Sequence, residues 1–401
     1  MYIKSIKHLN QIVPQNITNA NQLSVQISGI TFNLNKDYLC DLFDYIYHQY
    51  LQNCDDEDSK KEILFPLSSK VLRKRYGNSY TKYMQYFIDN AYIRLILNEI
   101  EGKRCRRYKL VDWKIKRVGL VHKVNVNLNL IKKQNKQTLN ADYSNSPYSK
   151  SLLGTIMKNL EAVTIQKNGA INYLNTQYSN PMHRKYIKNY KSILDIDDRN
   201  IYMTCDEYGR IHTNFTTLKK EIRNQFLLID NDPIQEVDIK NSQPLFFLYL
   251  LSNNLNKSIN QEEVQQFQED VLDGIIYNKL ASYYGVDREY MKKIFFRFLY
   301  GKSGTRCKAF TKYYPSITDF INKFKNDNDY KKLAQELQRL EGKFIFRGVC
   351  QELTNRKIKY FTVHDSINVK IDVYPILVSV FNNKLNNLKK EIINNNQNYY
   401  R

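Results

Sequence analysis

The stretch Tyr360-Phe361-Thr362-Val363-His364-Asp365-Ser366-Ile367-Asn368-Val369-Lys370-Ile371 decides how the rest of the chain is read. β-Branched and aromatic residues flank a short polar break at Asp365 and Ser366, the pattern of two strands joined by a tight turn. Such a hairpin lifts one carboxylate to the tip of a rigid element. Taken alone, an aspartate in a turn is ordinary turn chemistry, because its side chain bonds nearby backbone amides. A catalytic role requires partners elsewhere in the chain.

Three other stretches offer them. In Gln235-Glu236-Val237-Asp238-Ile239-Lys240-Asn241-Ser242-Gln243-Pro244, Val237 and Ile239 share one face of a strand. Asp238 points the other way, near where Asn, Ser and Pro end the strand, so a second carboxylate stands at a strand end. From Asp287 to Leu299 the pattern is helical, and Arg288, Lys292, Phe296 and Tyr300 form one stripe running up to Gly301, because residues four apart drift slowly around a helix. Lys293 and Arg297 add positive charge, and a triphosphate would offset the repulsion. The alternative is a helix whose aromatics are core and whose cations are solvated. The last stretch, Asp206 to Asn214, carries Gly209-Arg210, a turn with a charged neighbour.

Composition narrows the partners. Across 401 residues, 61 Lys and Arg face 40 Asp and Glu, a formal net charge of +21. Nucleic acid is the commonest partner for such an excess, with charge that merely aids solubility as the alternative. The 32 Tyr and 19 Phe are interleaved with the cations, which permits stacking on bases. Six cysteines without a C-x-x-C pair suggest neither a zinc site nor a disulfide framework, so a reducing, cytoplasmic setting is expected. No apolar run is long enough to span a bilayer, and no membrane partner is expected. Met1 to Gln26 lacks acids, as a mitochondrial presequence does, but also lacks the Arg such a segment carries.

The length favours two or three domains. Residues 1–36 read as an arm, strand-bearing or flexible. An amphipathic helix follows from Leu39 to Leu51, then a short basic helix to Tyr76, a turn at Gly77-Asn78-Ser79 and a helix from Tyr80 to Asn90. Ile93 to Leu97 and Arg104 to Val111 read as two strands. This order resembles a winged helix-turn-helix module, here assigned to residues 37–125. The resemblance implies that the second helix of the turn enters a groove and that Lys103, Arg104, Arg106 and Arg107 on the wing meet phosphates. A protein-binding or structural role for the same module is the alternative. Residues 126–150 have linker composition.

A Gly-Arg element, a strand Asp followed by Ser and Gln, a helix reading R-x3-K-x7-Y-G and a hairpin H-D, in that order, resemble the polymerase core shared by family A DNA polymerases and the single-subunit RNA polymerases of phages and mitochondria. The resemblance implies an α+β right-hand fold, with an antiparallel-sheet palm and helical fingers over 201–401 and a reduced, helical thumb-like region over 151–200. It implies that Asp238 and Asp365 hold two Mg²⁺ ions, with Mn²⁺ as a substitute. Arg288 and Lys292 would bind the triphosphate, while Phe296, Tyr300 and Gly301 would face the nascent base pair. Arg210 and His364 would touch primer or template. The implied partners are nucleoside triphosphates and primer-template DNA, with RNA as the alternative nucleic acid; the oligomeric state is left open.

The match departs from the family at two points. The DNA enzymes read D-x-S-Q-x-E, where the Glu crowds the sugar 2′ position; the residue five after Asp238 is here Gln243, large enough to do the same. Conversely, His364-Asp365-Ser366 matches the RNA enzymes. A DNA polymerase without proofreading is therefore the leading expectation. A single-subunit RNA polymerase or primase, and a DNA-binding initiator with an inactive core, are the alternatives.

Overall fold

The computed structural model of the protein describes residues 9–53, 63–98, 100, 105–139, 146–180 and 183–400. The chain is mixed α+β with small antiparallel sheets and two hydrophobic cores, one built from residues 12–130 with Ile187 and one from residues 148–392.

The first core begins with β1 (Leu9–Pro14), α1 (Gln15–Asn19) and the hairpin β2 (Ser24–Ile27) and β3 (Ile30–Asn33). It continues through α2 (Lys36–Gln52), β4 (Leu64–Leu67), α3 (Ser69–Tyr76), α4 (Tyr80–Asp89), β5 (Ile93–Leu97), β6 (Arg106–Leu110), α5 (Asp112–Val118) and β7 (Leu120–Asn125). Helices α2, α3 and α4 and the strands β5 and β6 fall where the hydrophobic periods place them. Strand β4 was not expected; it forms an edge of the sheet β4-β6-β5, where Pro66 can be tolerated.

Two stretches are more packed than their composition suggests. The residues from Leu9 to Asn33 bear strands: β1 pairs antiparallel with β7, Leu9 opposite Asn125, and Ile12, Val13, Ile17, Leu23 and Val25 are buried. Residues 126–150 are not a linker throughout, since α6 (Leu128–Leu139) carries the buried Leu130 and Ile131. Burial of these apolar side chains outweighs the polar composition around them.

The second core holds α7 (Lys150–Glu161), β8 (Val163–Ile165), α8 (Lys167–Gln177), α9 (Arg184–Asp197), β9 (Met203–Cys205), β10 (Ile211–Thr213), α10 (Asn214–Thr217), α11 (Lys220–Phe226), β11 (Leu227–Ile229), β12 (Asp232–Val237) and α12 (Ser242–Ser252). Then come α13 (Gln261–Leu272), α14 (Ile276–Tyr284), α15 (Arg288–Tyr300), α16 (Lys308–Tyr313), α17 (Pro315–Asp327) and α18 (Lys331–Gly342). A π-helical turn (Lys343–Cys350) leads to α19 (Gln351–Asn355), the hairpin β13 (Tyr360–Val363) and β14 (Ser366–Lys370), and α20 (Tyr374–Tyr400). The largest sheet has the order β13-β14-β12-β11-β8, antiparallel throughout. Because β8 is its edge strand, residues 163–165 belong to the same sheet as the expected carboxylate strands, while α7, α8 and α9 make up most of 151–200.

One close approach fixes the turn at Gly209. Gly209 has φ +86°, and a side chain on either Gly209 or Gly342 would run into the Tyr148 ring hydroxyl. That hydroxyl donates to the Gly209 carbonyl at 2.8 Å, so the Asp206–Arg210 turn is clamped against the end of α18. Gly342→Ala should destabilise the fold by about 1–3 kcal/mol, the usual cost of overpacking, visible as a lower urea midpoint with unchanged slope.

Candidate functional site

The hairpin turn places Val363 opposite Ser366, with His364 and Asp365 at its tip. His364 has φ +57°, a conformation costly for a residue with a Cβ and usual for glycine at this position of a two-residue hairpin turn. Ser366 is buried and donates to the Val363 carbonyl at 3.0 Å, closing the turn from inside. In the next pairing Val237 lies opposite Ile367, so Asp238, one residue past the end of β12, emerges beside the tip that carries Asp365.

Both carboxylates line one cleft of about 400 Å³ together with Arg210, Gln243, Lys292, Phe296, Tyr300 and His364. Eight residues predicted from separate stretches thus meet in a single place. The stripe on α15 faces this cleft, while Met291, Phe295, Phe298 and Leu299 on the same helix supply its core face. Phe296 and Tyr300 are half-buried and stacked, centroids 5.7 Å apart, so they are cleft wall rather than core.

Other predicted positions fall differently. Arg288 is not among the lining residues but stands at the rim, where its guanidinium donates to Asn241 Oδ1 at 2.8 Å. Gly301 also lies outside the cleft lining; it closes α15 by close approach, because a Cβ there would run into the Arg297 carbonyl oxygen. Of the wing cations, Lys103 and Arg104 lie outside the described residues. Arg106 and Arg107 lie on β6 in the first core, Arg107 exposed and Arg106 half-buried. Helix α4, expected to enter a groove, is partly covered: it packs against β2, and the Lys82 ammonium sits 3.6 Å from the centre of the Phe32 ring.

The electrostatics mark the site. Asp238 opens to solvent, yet its low-dielectric surroundings, then the charges of Asp365 and Glu236, push its carboxyl up to about 6. Glu236, two residues earlier, goes the other way; burial would raise it, but the Ser366 hydroxyl and the Lys220 ammonium, 2.9 Å away, hold it below the usual range. Burial, then Arg210, keeps His364 below an ordinary imidazole. Arg210 Nε is buried without a hydrogen-bond partner among the described residues.

Sequence reasoning missed Asn241 and Glu341. Asn241 takes a left-handed conformation, φ +56°, at the start of α12 and bridges Arg288 to the Gly274 carbonyl. Glu341, 4% exposed at the end of α18, accepts from Ser242 Oγ at 2.8 Å and Gln243 Nε2 at 2.5 Å and lies 3.5 Å from Arg210. Burial, then the charge of Asp365, pushes its carboxyl up to about 7. The only local hint for Glu341 is the glycine after it; on a helix rich in Lys and Glu it otherwise looks like Glu336.

Paired carboxylates beside a cationic, aromatic helix can hold a divalent cation next to a polyphosphate, a donor set suited to phosphoryl transfer. Neither the protein-family models nor the curated proteins compared with this chain give a match.

Proposed function

We propose that the chain is a template-directed nucleotidyltransferase, a compact DNA polymerase working with two Mg²⁺ ions at Asp238 and Asp365. The observation that carries the reading is the convergence on one cleft of residues that lie between positions 210 and 365 in the sequence.

The donor chemistry fits the metal. Among the described residues no three His, Cys, Asp or Glu side chains converge, and Mg²⁺ needs no such cage: one or two carboxylates suffice, with substrate phosphates completing the shell. When bound, the ions would activate the primer 3′-hydroxyl and neutralise charge on the phosphoryl group in flight. Lys292 then grips the triphosphate, with Arg288 at the rim held in place by Asn241. Phe296 and Tyr300 form the wall against the new base pair. Arg210 and His364, which both line the cleft, would face the primer terminus.

The RNA polymerase or primase reading rests on Ser366. That side chain is turned inward to its own hairpin, which supports a structural role for it rather than one in choosing the sugar. A primed template with Mg²⁺ and either set of nucleotides tests the proposal: extension with deoxynucleotides is expected, and extension with neither set overturns it.

Metal binding can be followed without turnover. The Asp238 carboxyl, raised to about 6 from 3.8, stays protonated in the fold at pH values where it would ionise in the unfolded chain. This group's contribution to stability therefore falls as pH rises from about 4 to 6, and a cation must displace its proton below about 6. Added Mg²⁺ or Mn²⁺ should raise the Tm at pH 7.5, raise it much less at pH 5, and do neither in Asp238→Asn or Asp365→Asn.

A further inference from the structure

We propose that Glu341 is the positioning residue that sets the sugar preference of this site. The inference rests on the polymerase reading and deepens it.

Lys292 and Tyr300 are eight residues apart on α15, about 12 Å along its axis, roughly the reach of a nucleotide from phosphates to base. With the triphosphate at Lys292, the sugar and base lie toward Tyr300. At that end of the cleft the Tyr300 hydroxyl donates to Gln243 Oε1, and Gln243 Nε2 donates to Glu341. Ser242 Oγ donates to the same carboxylate oxygen, and Arg210 approaches the other. The chain of bonds fixes which way the Gln243 amide faces: nitrogen to Glu341, oxygen to Tyr300.

Two consequences follow. The carboxylate is buried and already engaged by three donors, so it has little left to offer a ribose 2′-hydroxyl. Gln243 and Tyr300 are locked to one another, which turns two mobile side chains into a rigid floor beneath the sugar. A 2′-hydroxyl entering there meets an amide and a phenol already bonded to each other and held in place by Glu341, so neither can turn to meet it, and a site that leaves a buried polar group poorly paired disfavours the ligand bearing it. Arg210 ties this floor to the clamped Asp206–Arg210 turn, so the selection is anchored outside α15.

The test is the ratio of kcat/KM for a deoxynucleotide to that for the matching ribonucleotide on one primed template. Glu341→Ala frees the Gln243 amide and should lower the ratio by about tenfold or more. Glu341→Gln keeps an acceptor for Ser242 and Gln243 and should restore most of it, while having lost the charge beside Arg210. Thermal stabilisation of each variant by dATP against ATP gives the same comparison without turnover. A ratio unchanged in Glu341→Ala, with deoxynucleotides still extended, overturns the role of Glu341. Wild-type protein that extends with neither nucleotide fails at the polymerase reading instead and takes this inference with it.

Discussion

Asp238→Asn should lower primer extension by about three orders of magnitude, the several kcal/mol that metal stabilisation of a phosphoryl transfer supplies, and Asp365→Asn should do the same. Asparagine keeps the size of aspartate and one oxygen but loses the charge that binds a hard cation. The two carboxylates stand close enough for the charge of Asp365 to raise Asp238, so removing either relieves a repulsion in the metal-free protein. The variants should therefore fold at least as well as wild type at neutral pH. Loss of extension with an unchanged or higher Tm is the expected pair of results. Wild-type rates in either variant would remove these residues from the chemistry.

The second large effect is at Lys292. Lys292→Ala should cost about 10²–10³ in kcat/KM, the range seen when one preorganised donor to developing charge is removed, with the KM for the triphosphate raised. Among the described residues it pairs with the exposed Glu289, 3.2 Å away, and it stands 5.9 Å from the centre of the Tyr277 ring. An exposed pair of this kind contributes about 0–1 kcal/mol, so Tm should barely move. A variant with an unchanged triphosphate KM would show that the α15 stripe serves something other than phosphate.

The two effects separate the parts of the site. Under the proposed function Asp238 and Asp365 would act on the step, and their loss should persist at saturating nucleotide. Lys292 would act on the triphosphate in both the ground and the transition state, so part of its loss should be recovered at high nucleotide concentration.

How much of this was legible in the sequence depends on how local the signal is. The β13–β14 hairpin could be read because alternation with period two is interrupted by a polar turn, and the fold keeps that register. The stripe on α15 could be read because a spacing of four is a property of any helix. The covered face of α4 was not legible, since the hairpin that packs there comes from residues 24–33. Nor was the pairing of β1 with β7, whose strands lie more than a hundred residues apart in the chain.

Glu341 shows the limit most clearly. Glu336, five residues earlier on the same helix, is paired with Lys332 and Arg339 near the surface. Glu341 is buried only because the end of α18 packs between α12 and α15 and is clamped by Tyr148 and Gly209. Apart from the glycine after Glu341, nothing in their neighbours along the chain distinguishes the two glutamates.

The sequence by itself therefore determined which elements carry the carboxylates, the cations and the aromatic wall, because each of those patterns is closed within about a dozen residues. Only the tertiary structure decided that they share one cleft, that Arg288 and Gly301 stand at its margin, and that a buried glutamate from another helix holds its floor. Backbone periodicity is set by neighbours along the chain, whereas burial and charge coupling are set by neighbours in space.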